Sequence, residues 1–358
     1  MEQSELVNNR QGLVGGGRHR IDFDNVISLE NLLSAWRAFA KGKRSKKDVS
    51  AFELNLEDNI FALHQKLVSG VWRPEPYTVF FVQDPKLRRI HKASVFDRVL
   101  YQAVYQAIYP IFDRGFIHDS YASRNLKGTH RGVKRFEVFA RKVTQNYRRN
   151  GFVLKCDIRK FFDSIDHKIL LRLLGQKIID SHLLDLLEMI IRSFNTISGK
   201  GLPLGNVTSQ VFANIYLNEL DQYLKHTLKV RYYIRYCDDF VILSDDNDRL
   251  KEIYRYIDIF LDCRLKLSLH PNKVTIKKIS QGTDFLGYVS LPYHRVLRTN
   301  TKHRMLLKIE NSCRYFIAGA LSKESWQSCL ASYFGMLGHS KSFRLRNAII
   351  RSIHDIIQ

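Results

Sequence analysis

"YIRYCDDFVILS", residues 233–244, sets two adjacent acids, Asp238 and Asp239, between two apolar runs. Tyr232, Tyr233, Ile234 and Tyr236 lead in, and Phe240, Val241, Ile242 and Leu243 lead out. Aromatic and β-branched runs on either side of a short polar break predict a β-hairpin. Two like charges at its tip repel by about 4 kcal/mol at close approach in a protein-like dielectric. Either the acids face water as ordinary turn residues, or a divalent cation cancels the repulsion. The hairpin alone leaves both explanations open.

The chain has 358 residues, enough for two or three lobes and a substantial core. Hydrophobic residues make up 45 %, which excludes a disordered chain. The formal net charge of +22 costs self-repulsion in a compact fold and points to a polyanionic partner. Nucleic acid is the first candidate and an anionic membrane surface the second. No apolar run is long enough to span a bilayer, and MEQSELVNNRQGLVGGGRHR at the start lacks a secretory core, so a cytoplasmic location is expected. Cys156, Cys237, Cys263, Cys313 and Cys329 include no CxxC pair, which argues against a disulfide framework and a zinc site. Cys156 and Cys237, each beside an acid of interest, read as small buried residues.

Residues 11–20, QGLVGGGRHR, read as a flexible lead-in whose glycine run, Gly15 to Gly17, is too short for a phosphate loop. Residues 28–70 read as helical, with a basic cluster, KGKRSKK, at 41–47 that is either a solvated face or an RNA contact. Residues 77–92 alternate and end in basic residues, predicting a strand or hairpin that carries Lys86, Arg88 and Arg89. Val99, Ala103 and Ala107 share a helical face over 95–109, and Pro110 is expected to stop that helix. A strand over 152–158, FVLKCDI, ends on an acid. Asp166 then caps a helix carrying Leu170, Leu171, Leu173 and Leu174. After the turn GKGLPLGNVTSQ, 199–210, a second helix is expected from Ser209, with Phe212, Ile215, Tyr216, Leu220 and Leu224 at helical spacing. A helix over 250–261, a strand over 274–279 and a short strand pair near 284–291 follow the hairpin, and 294–358 reads as helical and basic. The order strand, helices, hairpin, helix, strand predicts an α+β palm, a small antiparallel sheet backed by helices.

In such a palm the end of the 152–158 strand lies beside the hairpin tip, so Asp157, Asp238 and Asp239 converge. Three carboxylates in one place raise one another's pKa unless cations neutralise them. Two magnesium ions would do so, one activating an attacking hydroxyl and one stabilising a leaving pyrophosphate. The chemistry expected is nucleotidyl transfer from a triphosphate to a 3′-hydroxyl. The competing explanation is three independent turn and strand-end acids.

The chain resembles a reverse transcriptase from about residue 75 to 310. YCDD at 236–239 is similar to the family's Y-x-D-D box, and DIRKFFDSID at 157–166 to its first catalytic block. SYASRNLKGTHRGVKRF at 120–136 resembles the fingers block, LHPNKV at 269–274 the block carrying a lysine, here Lys273, and FLGYV at 285–289 the primer grip. One YxDD is weak; five blocks in the family's order are specific. The resemblance implies a right-hand polymerase: an N-terminal extension and helical fingers part over 1–75, fingers over 76–150, palm over 151–292 and a short basic helical thumb over 293–358. It implies catalysis by Asp157, Asp238 and Asp239, with two Mg2+ held by these acids and by Ile158. Nucleotide binding falls to Arg88, Arg124, Phe162, Leu204, Gly205, Gln210 and Lys273, and primer grip to Phe285, Leu286, Gly287 and Tyr288. Phe162, five beyond the first aspartate, matches the aromatic that excludes a ribose 2′-hydroxyl, so deoxynucleoside triphosphates are the expected substrates; its alternative is one more core aromatic beside Phe161. The implied partners are template RNA, RNA/DNA duplex and the deoxynucleotides.

One block departs from the family. Most members have L-P-Q-G followed by S-P, whereas LPLGNVTSQ at 202–210 has Leu204 for the glutamine and Gln210 for the proline. This resembles the reverse transcriptases of diversity-generating retroelements, which copy a template RNA with errors opposite adenine and work with a small basic helical accessory protein. Two other readings stand beside it: another bacterial reverse transcriptase, such as a phage-defence enzyme, and an RNA-binding protein with a dead polymerase fold. The intact acids argue against the last.

Overall fold

The computed structural model describes residues 21–83 and 86–357; the glycine run Gly15 to Gly17 lies outside them. Four helices come first: α1 (Phe23–Ile27), α2 (Leu29–Ala40), α3 (Lys47–Leu54) and α4 (Leu56–Val68). Asp22 and Ser28 cap the first two by accepting from the amides of Asp24 and Asn31. The basic cluster at 41–47 is an exposed connection between α2 and α3. Strands β1 (Thr78–Gln83) and β2 (Leu87–Lys92) form the expected hairpin, in register from Thr78↔Lys92 to Gln83↔Leu87. β1 is exposed along its whole length.

Helix α5 (Val95–Asp113) runs through Pro110 instead of ending before it. The proline forfeits one backbone bond, but it sits in the last turn, where little of the ladder remains to break. Ile108, Tyr109 and Phe112 on either side are buried, and that packing holds the final turn. Helix α6 (Thr129–Val143) and strand β3 (Phe152–Asp157) follow, then the single turn α7 (Phe161–Ser164), α8 (His167–Gly175) and α9 (Ser181–Arg192). Asp166 caps α8 as expected, accepting from Ile169 N. Helix α10 (Val207–Gln222) starts two residues before the expected Ser209, because Asn206 takes the extended cap conformation. It continues into a π turn over Tyr223–Thr227. The remaining elements are β4 (Tyr233–Tyr236), β5 (Asp239–Ser244), α11 (Asn247–Leu265), β6 (Thr275–Lys278), β7 (Thr283–Phe285), β8 (Tyr288–Leu291), β9 (His294–Leu297), α12 (Thr299–Ile317), α13 (Lys323–Leu337) and α14 (Phe343–Ile357). β9 stands where helix was expected from residue 294, since its backbone completes a sheet with β8 in register from Tyr288↔Leu297 to Leu291↔His294.

By packing, the chain forms two compact units. The first comprises Met1–Arg124, Asp157–Arg231 and Ile253–Lys273; the second comprises Asn125–Cys156, Tyr232–Glu252 and Val274–Gln358. The first is mostly helical apart from the β1–β2 hairpin, and α10 is its central rod. Val211, Phe212, Ala213, Ile215, Tyr216, Leu217 and Leu220 are buried, a pattern too wide for one face and typical of a helix enclosed on all sides. Asn214 meets this burial by donating from Nδ2 to the Ala122 carbonyl at 2.9 Å.

The second unit holds the sheet β4-β5-β3-β6, with β4–β5 and β3–β6 antiparallel and α6 packed against β4 and β5. A separate sheet, β7-β8-β9, leads into the helices α12 to α14. Its Tyr288 and Leu297 join Val133, Met305, Ile309, Cys313, Leu337 and Ile349 in one buried cluster. The architecture is α+β, with small antiparallel sheets among helices. Among the described residues no helix is long and apolar enough to cross a membrane.

Candidate active site

The hairpin pairs from Tyr233↔Ile242 to Tyr236↔Asp239, which leaves Cys237 and Asp238 as a two-residue turn. Cys237 has φ +57°, and a left-handed first turn residue matches the twist of the flanking strands. Arg235 is fully buried and donates from Nη1 to the Cys237 carbonyl at 3.2 Å, which braces the turn from beneath. Burial pushes the Cys237 thiol up to about 12, and the charge of Asp238 adds to the shift. The thiol therefore stays protonated at neutral pH and is no nucleophile.

Strand β5 opens on Asp239 and lies beside β3 in the sheet. Lys155 on β3 places Nζ 3.6 Å from Asp239 Oδ2 and donates to the Asp284 carbonyl at 2.8 Å. Alternation along a strand puts Lys155 and Asp157 on one face of β3.

Asp157 ends β3. Its carbonyl accepts from His270 N at 2.8 Å, and its Oδ1 lies 2.7 Å from Lys273 Nζ. The turn His270-Pro271-Asn272-Lys273 closes through Lys273 N and the His270 carbonyl at 3.0 Å. Proline at its second position fixes the φ that such a turn needs. Ile158, next along, bridges to Leu269 and is buried, which leaves only its backbone for any ligand.

Among the described residues no group of three or more His, Cys, Asp or Glu side chains is gathered closely enough to hold a metal ion, although three acids were expected to converge. Ammonium groups lie beside two of the three instead. The donor set is nevertheless carboxylate and carbonyl oxygen, the type that suits magnesium.

In the first unit Phe161 is buried in the core, whereas Phe162 is only half-buried and meets it edge-on at 5.4 Å. The Phe162 carbonyl accepts from Leu202 N at 2.8 Å, which ties the 157–166 block to the 202–206 loop. Leu204 is half-buried, and its carbonyl faces His91 N at 3.4 Å. Gly205 has φ +116°, and a Cβ there would stand 3.4 Å from Ile90 Cγ2, so glycine answers both the backbone and the approach of β2. Gln210 and Arg88 are exposed. Arg124, expected at the nucleotide, is committed elsewhere. Its guanidinium bonds Asp113 Oδ1 at 2.6 Å and the carbonyls of Ile117 and Ser120, with 7 % of the side chain exposed.

The residues expected in the primer grip divide. Leu286 and Gly287 form the β7–β8 turn with φ +53° and +85°, the pair of left-handed residues of a type I′ hairpin. Phe285 and Tyr288 are buried beneath it, and Tyr288 donates its hydroxyl to the Met336 carbonyl at 3.1 Å. The sequence reading missed Lys155 and Arg235. Each is a lone cation in an otherwise apolar strand, and that incongruity was the available signal.

An acid-ended strand beside an acidic hairpin, on a small antiparallel sheet backed by a helix, is the palm of a right-hand polymerase. Residues 83–290 match the family described as reverse transcriptase (RNA-dependent DNA polymerase), and the chain belongs to that family, whose activity is RNA-directed DNA synthesis. It is 26 % identical over 281 residues to protein YkfC of Escherichia coli, covering 67 % of this chain and 72 % of YkfC. It is 22 % identical over 305 residues to the group II intron-encoded protein LtrA of Lactococcus lactis, covering 65 % of this chain and 49 % of LtrA. The chain thus spans about half the length of LtrA. Telomerase from Candida albicans, solved with a fragment of telomeric RNA, is similar with a TM-score of 0.48 at 9 % identity, covering 83 % of this chain and 64 % of that one.

Proposed function

We propose that the chain is the error-prone reverse transcriptase of a diversity-generating retroelement, copying a template RNA into cDNA with errors concentrated at adenines. The observation that carries the mutagenic part is the block LPLGNVTSQ, with Leu204 and Gln210 where glutamine and proline are usual. Asp157, Asp238 and Asp239, with the Ile158 carbonyl, would hold two Mg2+ ions. Such ions, when bound, activate the primer 3′-hydroxyl and stabilise the leaving pyrophosphate. Lys273, which neutralises Asp157, would meet the triphosphate, and exposed Arg88 would supply a further cation. The half-buried Phe162 would lie under the sugar of the incoming nucleotide. Leu204 supports the nascent pair with bulk alone. A polar contact is lost when a pair is poorly seated, whereas an apolar one tolerates displacement, so leucine weakens discrimination. The net charge of +22 suits RNA and an RNA/DNA duplex, with a small basic helical protein as accessory partner.

Sequencing of cDNA made from a defined RNA template, with all four deoxynucleotides and the accessory protein supplied, tests the reading. Asp238→Asn abolishes synthesis while RNA affinity stays near wild type. Leu204→Gln, alone or with Gln210→Pro, lowers misincorporation opposite adenine more than opposite other bases. Uniform, low error by the wild-type enzyme would sink the mutagenic reading and leave ordinary reverse transcription, as by a phage-defence enzyme. Near-normal synthesis by Asp238→Asn would remove that residue from the chemistry.

A further inference from the structure

Helix α6, the β8–β9 turn and the segment between α13 and α14 line a pocket of about 530 Å3, all within the second unit. That volume lies in the range of small-molecule sites. Lys134, Arg141, Arg295 and Lys341 line it against a single acid, Glu137. Glu137 is already taken by Arg295, Nε to Oε1 at 3.1 Å. Arg295 Nη1 is buried and has no hydrogen-bond partner among the described residues. The cations therefore outnumber the acid, and a bound anion would relieve their mutual repulsion. The same field reaches His130, stacked on His339 at 3.7 Å. Burial lowers its pKa first, and the charges of His339, Arg295 and Lys134 lower it further.

The rim adds an aromatic. Tyr147 and Tyr293 line the pocket and meet with ring centroids 4.9 Å apart at 64°. Both have left-handed backbones, φ +64° and +66°, a conformation rare for bulky residues and concentrated at functional positions. Tyr293 donates its hydroxyl to the Asn146 carbonyl at 3.3 Å, yet 75 % of the residue stays exposed. An exposed ring held in place beside unneutralised cations has the two contacts a nucleotide needs, a stacking face and a phosphate seat.

We propose that this pocket binds a nucleoside phosphate, with the base on Tyr293 and the phosphate among Lys134, Arg141 and Lys341. None of the residues expected in catalysis, nucleotide binding or primer grip lines it. The nucleotide arrives either as an unpaired unit of an RNA strand or as a free molecule.

The test uses the full chain and two probes: a labelled RNA hairpin with or without a six-nucleotide single-stranded extension, and adenosine 5′-monophosphate. The variants are Tyr293→Ala, Tyr293→Phe and Lys134→Glu with Lys341→Glu. For a strand ligand the extension tightens binding by about five- to 150-fold, the range of one base–aromatic stack. That gain survives in Tyr293→Phe and disappears in the other two. For a free ligand the mononucleotide binds with the same pattern of loss, and the extension adds nothing. Unchanged melting temperatures show that the variants fold, and primer extension reports the polymerase centre separately. If neither probe binds in a manner that depends on the Tyr293 ring and the two lysines, the site does not exist.

Discussion

Lys273 Nζ stands 2.7 Å from Asp157 Oδ1, so the acid that ends β3 carries a protein cation of its own. The pair is partly exposed, 39 % for the lysine and 21 % for the aspartate, so it contributes about 1 kcal/mol or less. Its larger consequence would be competition, because a divalent ion held at Asp157 would neutralise the carboxylate that the ammonium already neutralises. Lys273→Ala leaves Asp157 uncompensated. Magnesium should therefore raise the melting temperature of Lys273→Ala more than that of the wild type. A thermal melt across a magnesium series measures this without any turnover. Equal magnesium dependence in the two proteins would place metal binding away from Asp157.

Phe161 is buried in the core, whereas its neighbour Phe162 is only half-buried. An aromatic that only filled the core would not be left half open. Phe162→Ala should admit ribonucleotides, because removing an excluding contact is worth about 1–3 kcal/mol of discrimination, roughly 10- to 200-fold. The readout is the ratio of kcat/KM for a deoxynucleotide to that for its ribonucleotide counterpart. A ratio that survives the substitution assigns Phe162 to packing and the gate to another side chain.

The elements legible in the sequence were those whose signal is local. Aromatic and β-branched runs around a polar break marked the 233–244 hairpin to within a residue or two, and Asp166 marked the start of α8 by its capping chemistry. Pro110 misled, because the burial of Ile108, Tyr109 and Phe112 outweighs one lost backbone bond, and burial is a tertiary fact. Strand β9 was missed for a similar reason, since HRVL becomes a strand through its pairing with β8. In the site, the pairing of Lys273 with Asp157 joins two residues that the motifs singled out separately. Lys155 and Arg235 were not legible, because their roles depend on which carbonyl or carboxylate a neighbouring strand presents. Arg124 shows the converse: its motif suggested a ligand contact, and the fold gives its donors to Asp113 and two carbonyls.

Asp97 supplies a pH test of the first unit that does not involve the polymerase chemistry. It is buried at the start of α5, where its Oδ2 accepts from Glu75 N at 2.9 Å. Burial pushes its carboxyl up to about 6 from 3.8, and the charge of Glu75 adds to the rise. With the folded pKa above the unfolded one, the folded chain binds more protons between the two values. Stability from this group is therefore greatest in acid, falls as pH rises from about 4 to 6, and is flat above that. The full span corresponds to about 3 kcal/mol by the shift alone. Asp97→Asn removes the titration and keeps an oxygen for the Glu75 amide. Its stability relative to wild type should therefore climb across that window. Urea melts of both proteins at several pH values between 4 and 7 give the difference directly. A constant difference across the range would mean that Asp97 ionises in the folded chain as it does in the unfolded one.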